Sequence, residues 1–176
     1  MDTDEAAHRL QLLLKEFTIP ARRPGDGRTG TRAHPPVPLN LAVIDHITAS
    51  VVEVAEHARA AAPDAGPLPA APAGIYDWWR QSTPDLDEGA VQARETVIYR
   101  QGLEHAIAAG DHKVIRKHPC PACGTWGLFW RAAAQRAVCV NQDCTDTKGM
   151  ARTWELKQLA HEHIAARQRT LKANAT

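Results

Sequence analysis

The stretch HPCPACGTWGLFWRAAAQRAVCVNQDC, running from His118 to Cys144, holds all four cysteines of a 176-residue chain. They are spaced as Cys120-x2-Cys123-x15-Cys139-x4-Cys144. Two residues between cysteines let one tight turn present both sulfurs to a single ion. Four such sulfurs suit the tetrahedral preference of zinc, which binds thiolates without redox chemistry at the metal. Pro121 stiffens the first turn, and Gly124 allows the positive φ that points backbone amides at the sulfurs. Between the two pairs, TWGLFW and RAVCV have the aromatic and β-branched make-up of short strands, with RAAAQ as their connection. Such a hairpin carries the first pair at one end and returns the second pair beside it.

This is the plan of a zinc ribbon, with Cys120, Cys123, Cys139 and Cys144 as ligands of one Zn2+. Two disulfides are disfavoured in a chain that reads as cytosolic, and a redox C-x-x-C leaves the second pair unexplained. Iron–sulfur ligation is the competing use of four cysteines. The x4 spacing of the second pair departs from the x2 of a symmetric ribbon. With four sulfurs available, His118 reads as an exposed basic residue rather than a ligand. His161 and His163, two apart on a helix, face different ways and make a poor chelating pair. A site closed by four protein ligands leaves no position for water or substrate and is structural. Its binding energy is folding energy for a module too small for a full core. Trp126, Phe129 and Trp130 are expected to cover it against the last helix.

Outside this stretch the pattern is helical. Leu10, Leu13, Leu14 and Phe17 recur at helical spacing over residues 4–17, with Thr3 or Asp4 as cap and Pro20 as stop. ARRPGDGRTGTRAHPPVP, residues 21–38, has no apolar periodicity and reads as an irregular linker in which Arg22, Arg23, Arg28 and Arg32 are solvated. A second helix is predicted from an Asn40 cap to Ala62, its stripe formed by Ile44, Ile47, Val51, Val54 and Ala58. PDAGPLPAAPA, residues 63–73, cannot be helical throughout. Ile75, Trp78 and Trp79 suggest a short anchoring helix, one indole inward and the other over a neighbouring surface. Ser82 or Thr83 before Pro84 signals the start of a third long helix, which ends at Gly110. Its contacts come from Val91, Ile98, Leu103 and Ile107. The last helix spans Thr153–Leu171, with Leu156, Leu159, Ala160, His163 and Ile164 as a partial stripe.

The expected fold is therefore mainly α: a helical body over residues 1–111, then residues 112–176 as a four-cysteine zinc ribbon of one β-hairpin plus a C-terminal helix. The 41–62 and 86–109 helices are expected to pack together. Net charge is +1, but residues 112–176 carry 11 Lys and Arg against 4 Asp and Glu, and the rest of the chain is acidic. Four thiolates on a divalent ion would lower the balance of that basic part by two. Arg outnumbers Lys by 15 to 6. No apolar run approaches the roughly 18 residues of a membrane span. The acidic N-terminus, MDTDEAAHRL, lacks the basic lead of a signal peptide, so the chain reads as cytoplasmic.

CPACG, the aromatic hairpin, CVNQDC and TWELKQLA together resemble small zinc-ribbon proteins encoded by phages and mobile elements of high-GC Gram-positive bacteria. The likeness covers mainly residues 118–165. It implies a fold element and a setting more than an activity. No phosphate-binding loop, HExxH, GxSxG or Rossmann fingerprint occurs, so no enzyme is expected. The basic module points to a nucleic-acid-associated or regulatory accessory protein that binds DNA or RNA. Lys113, Arg116, Lys117, Arg131, Arg136, Arg152 and Lys157 are the candidate phosphate contacts. The alternative is an adaptor for another protein, with zinc as a staple and no nucleic-acid binding. Oligomeric state is not legible in the sequence.

Overall fold

The computed structural model describes residues 2–17 and 41–174, with side chains over 5–15 and 43–174. The segment 21–38, the Asn40 cap and the side chain of Phe17 lie outside these. The helices are α1 (Asp2–Phe17), α2 (Leu41–Ala61), α3 (Ile75–Ser82), α4 (Glu88–Ala108) and α5 (Leu156–Asn174). Strands β1 (Phe129–Arg131), β2 (Arg136–Val138) and β3 (Thr153–Trp154) form an antiparallel sheet in the order β1-β2-β3. The expected hairpin is present, and β3 adds a third strand to it. Residues 62–71 carry no regular element, and Pro72–Gly74 form one 3-10 turn. Among the described residues, no helix is long and apolar enough to cross a membrane.

Two apolar cores are strung along α4. The first gathers Leu10 and Leu13 from α1, Val43, Ile47, Val54 and Ala58 from α2, Ile75, Tyr76 and Trp79 from α3, and Ile98 from α4. Trp79 is buried while Trp78 stays half-buried, the expected division of the indole pair. The second core joins Leu103 and Ala106 of α4 to Leu128, Trp130, Ala137, Leu159 and three of the cysteines. The principal partners of α4 are α5 and α1, with α2 touching it more sparingly, contrary to the expected pairing of the two 21-residue helices. At Gly102 α1 comes close to α4: a Cβ built there would lie 3.2 Å from the Cβ of Ala6, tighter than an ordinary contact.

The expected cap of α4 is also displaced. Thr83 closes α3 instead, its hydroxyl donating to the Trp79 carbonyl at 2.7 Å. Arg94 Nη1 then donates to both Thr83 oxygens, so neither is left for a cap. Asp87 caps α4, accepting from the Ala90 amide at 2.8 Å. Aspartate caps a helix as well as serine does, and the chain has room to turn at Pro84 first. Gly110 ends the helix at φ 83°, as expected.

Where α2 meets α4 the contact is polar. Gln101, fully buried, accepts from Tyr76 Oη at 2.9 Å and donates to the Ser50 carbonyl and the Glu53 carboxylate. Arg100 pairs with Glu53 and Glu104. Ser50 Oγ donates to the His46 carbonyl, leaving its lone pairs for His105 Nε2 at 3.4 Å. The Nδ1 of His105 then has no hydrogen-bond partner. Burial holds the His105 ring neutral, pushing its pKa down to about 3, and the neighbouring His46 ring adds to the effect.

Gly102→Leu should separate α1 from α4 and cost about 1–3 kcal/mol, as overpacked cores do; a melting curve with unchanged Tm would contradict this contact. For His105 the unfolded chain takes up a proton below its ordinary value of about 6.5 while the fold does not. Stability is therefore present above that pH and is lost as pH falls toward 3, by up to about 1.4 kcal/mol per pH unit. Denaturant titrations at pH 7, 5.5 and 4 should give falling midpoints, and His105→Gln should flatten the trend.

Candidate metal centre

Each pair of cysteines is held by backbone hydrogen bonds. In the first turn the Gly124 amide donates to the Cys120 carbonyl at 2.8 Å, and the Cys120 amide donates to the Thr125 carbonyl at 2.9 Å. Gly124 takes φ 70°, the left-handed geometry expected of it. An antiparallel bridge between Pro119 and Trp126 closes the turn.

The second turn accommodates its longer spacing by an Asx turn. Asn141 Oδ1 accepts from the Asp143 amide at 3.0 Å, and the Cys144 amide donates to the Asn141 carbonyl. The chain then makes a further small hairpin. Thr145 bridges Ala151, Asp146 Oδ1 accepts from the Lys148 and Met150 amides, and Gly149 sits at φ 74°. That hairpin returns Arg152 to the site, where its carbonyl accepts from Cys139 and its amide donates to Cys144. Sequence reasoning passed over Asn141 and Asp146, although an Asn two residues past a cysteine and the DTKG tetrapeptide are turn signals.

The four sulfurs lie within 4.8 Å of one another. Cys120 Sγ is 3.8 Å from Cys144 Sγ, and Cys123 Sγ is 3.7 Å from Cys139 Sγ. A tetrahedron with metal–sulfur arms of about 2.3 Å has edges of about 3.8 Å. Disulfide sulfurs would stand about 2.05 Å apart. The donor set thus fits one tetrahedral ion, which the four cysteines can hold. Cys120, Cys139 and Cys144 are buried and Cys123 is exposed. Hydrogen bonding from Thr125 pulls the Cys123 pKa down to about 6, while burial raises Cys139 and pushes Cys144 up to about 12.

The aromatic cover differs from expectation. Trp130 enters the second core, but Trp126 is 66% exposed and Phe129 37% exposed. His118 is not an exposed base; only 3% of its surface is accessible. Its Nε2 lies 2.9 Å from Tyr99 Oη and its Nδ1 3.3 Å from the Ile115 carbonyl. Burial lowers its pKa, and His163, stacked on Tyr99 at 4.2 Å, reinforces this. The cause is tertiary: α4 and α5 bring Tyr99 and His163 over the ring.

Of the candidate phosphate contacts, Lys113, Arg116 and Lys117 lie exposed on the 3-10 turn His112–Lys117 that leads into Cys120. Arg131 and Arg136 face each other as the last register pair of β1 and β2, at the tip of the hairpin. Arg131 and Lys157 are exposed. Arg136 pairs with Glu155 at 2.8 Å, and the Arg152 guanidinium donates to the Thr145 carbonyl. Those two guanidiniums therefore have partners within the chain.

Comparison with protein-family models, curated proteins and solved structures finds no match to this chain.

The protein should carry one metal ion per chain. Stripping it with a chelator, or Cys139→Ser, should open the second core while the first stays folded longer, because the sheet has only short strands of its own. Each thiol must lose its proton to bind, so metal affinity should fall as pH drops from 7 to 5. Metal content after equilibration at each pH, with circular dichroism in parallel, measures both; retention of full structure without metal would remove the site from the fold.

Proposed function

We propose that the ion is zinc, that its role is structural, and that the chain is a nucleic-acid-associated accessory protein rather than an enzyme. All four positions around the ion are taken by protein, which favours a staple over a reaction centre. The observation that carries the nucleic-acid reading is the concentration of exposed cations around the ribbon, beside a helical body in which four arginines are paired. Arg9, Arg80, Arg94 and Arg100 of the helical body are each paired with a glutamate. Around the ribbon, Lys113, Arg116, Lys117, Arg131 and Lys157 are exposed. Two of the four acids in that half are occupied locally, Asp146 by backbone amides and Glu155 by Arg136. The result is a basic surface suited to phosphates.

An adaptor that binds another protein is the second reading, favoured by the exposed apolar side chains Trp126, Phe129, Val140 and Met150 on the ribbon.

Elemental analysis should find zinc, and visible absorbance from iron would overturn that assignment. A salt series separates the functional readings. Phosphate contacts make log affinity fall linearly with log salt, with a slope near about 0.9 per contact on duplex DNA and about 0.7 on single strands. Lys117→Ala/Arg131→Ala should weaken binding to every sequence alike and make the slope shallower, leaving Tm and metal content unchanged because exposed charges contribute little to stability. Absence of binding by the parent protein at low salt would overturn the nucleic-acid reading and favour the adaptor.

A further inference from the structure

One face of the sheet packs into the second core. Trp130 and Ala137 are cross-strand partners, as are Ala137 and Trp154, and all three pack into or against the second core. Directly opposite residues share a face and successive residues alternate. The other face therefore presents the pairs Phe129–Val138 and Arg131–Arg136, together with Thr153. Val138 at the middle of that face is buried, so exposure there falls to its margins, at Phe129, Arg131 and Thr153.

Trp126 precedes a break in the strand and is exposed: Gly127 has φ 117°, a conformation that ends the regular alternation before β1. A Cβ on Gly127 would come within 3.0 Å of Val140 Cγ2, so exposed Val140 packs against Gly127. Two exposed aromatic rings, Trp126 and Phe129, thus stand three residues apart in the chain. Two guanidiniums follow at the hairpin tip.

We infer that this face is a docking surface for a single strand of nucleic acid, with Trp126 and Phe129 stacking on unpaired bases and Arg131 and Arg136 contacting phosphates. The inference rests on the nucleic-acid reading above and specifies the form of its partner. Rings lying on a sheet need an open base face, which a duplex keeps inside its stack. Arg136 is available because its pairing with Glu155 is exposed on both sides, and such pairs contribute little. The paired guanidiniums at the tip favour an anionic partner.

The test uses the full-length, metal-loaded protein with a labelled oligothymidylate of about a dozen nucleotides. The matching oligouridylate and the dT–dA duplex are measured alongside. The single strands should bind more tightly than the duplex. Trp126→Leu/Phe129→Leu keeps apolar area and removes the rings, so it should weaken single-strand binding by at least about tenfold. Metal content and Tm should be unchanged, and Trp126→Phe with native Phe129 should restore most of the affinity. Equal affinity of the leucine variant and the parent, or tighter binding of the duplex, would overturn this inference while leaving the broader nucleic-acid reading intact. Loss of all nucleic-acid binding in the parent would overturn both. A concentration-dependent dimer that the leucine variant abolishes, without nucleic-acid binding, would assign the face to a second copy instead.

Discussion

Two turns separated by fifteen residues must deliver four sulfurs to one point, and residues 112–174 are organised by that demand. Strands of two or three residues cannot hold a sheet together by their own ladders. Here the strands are clamped at one end, where Cys139 follows β2 directly and its amide bonds to Arg152, which precedes β3. A structural zinc held by such a set would bind with about 10–16 kcal/mol, enough to organise a module of this size. The buried cysteines are also core residues, packed with Leu103, Ala106 and Leu159. A metal held there would therefore act on the same residues as the apolar contacts rather than in a separate part of the molecule.

The second organising element is α4. Its residues face α1 and Tyr76 near the middle, α5 along one flank and the ribbon near its end, so apolar positions are distributed around its circumference. Polar side chains on α4 are tied inward as well, Gln101 and His105 being fully buried. Gln101 has a partner for its carbonyl and for both amide hydrogens, and such a satisfied group favours one arrangement of helices over others of similar hydrophobic area. The Gln101 links to Ser50 and Glu53 set where α2 crosses α4, and Gly102 sets how near α1 comes.

Legibility in the sequence followed the range of the forces involved. The metal turns were readable because a ligand pair needs only local geometry: x2 spacing, Pro121 and Gly124. The α2 stripe was readable because one face of that helix is buried. The pairing of α4 was not, since burial on several sides erases the 3.6-residue period from which pairing is inferred. Thr83 and Asp87 offered two caps of comparable strength, and the choice was made by Arg94, eleven residues beyond Thr83. His118 looked like surface because nothing beside it in the chain is aromatic; Tyr99 and His163 reach it only in the folded state. β3 and the turn at Asp146 escaped notice because two-residue strands carry no periodicity.

Charge near the metal has two different origins that geometry separates. A divalent ion with four thiolates leaves a net charge of −2 at the centre, which neighbouring cations offset. Lys113, Arg116 and Lys117 lead into the first turn, and Arg152 lies between the second turn and β3, where its guanidinium also supports the Thr145 carbonyl. Arg136 is different. It stands three residues up β2 from Cys139, about 10 Å at the rise of a strand. That is roughly a Debye length at physiological salt, and Arg131 lies opposite it at the same tip. Charges at that distance contribute little to balancing the ion. The hairpin tip therefore carries positive charge set apart from the cysteine cluster, with exposed Phe129 two residues from Arg131 on the same face of the sheet.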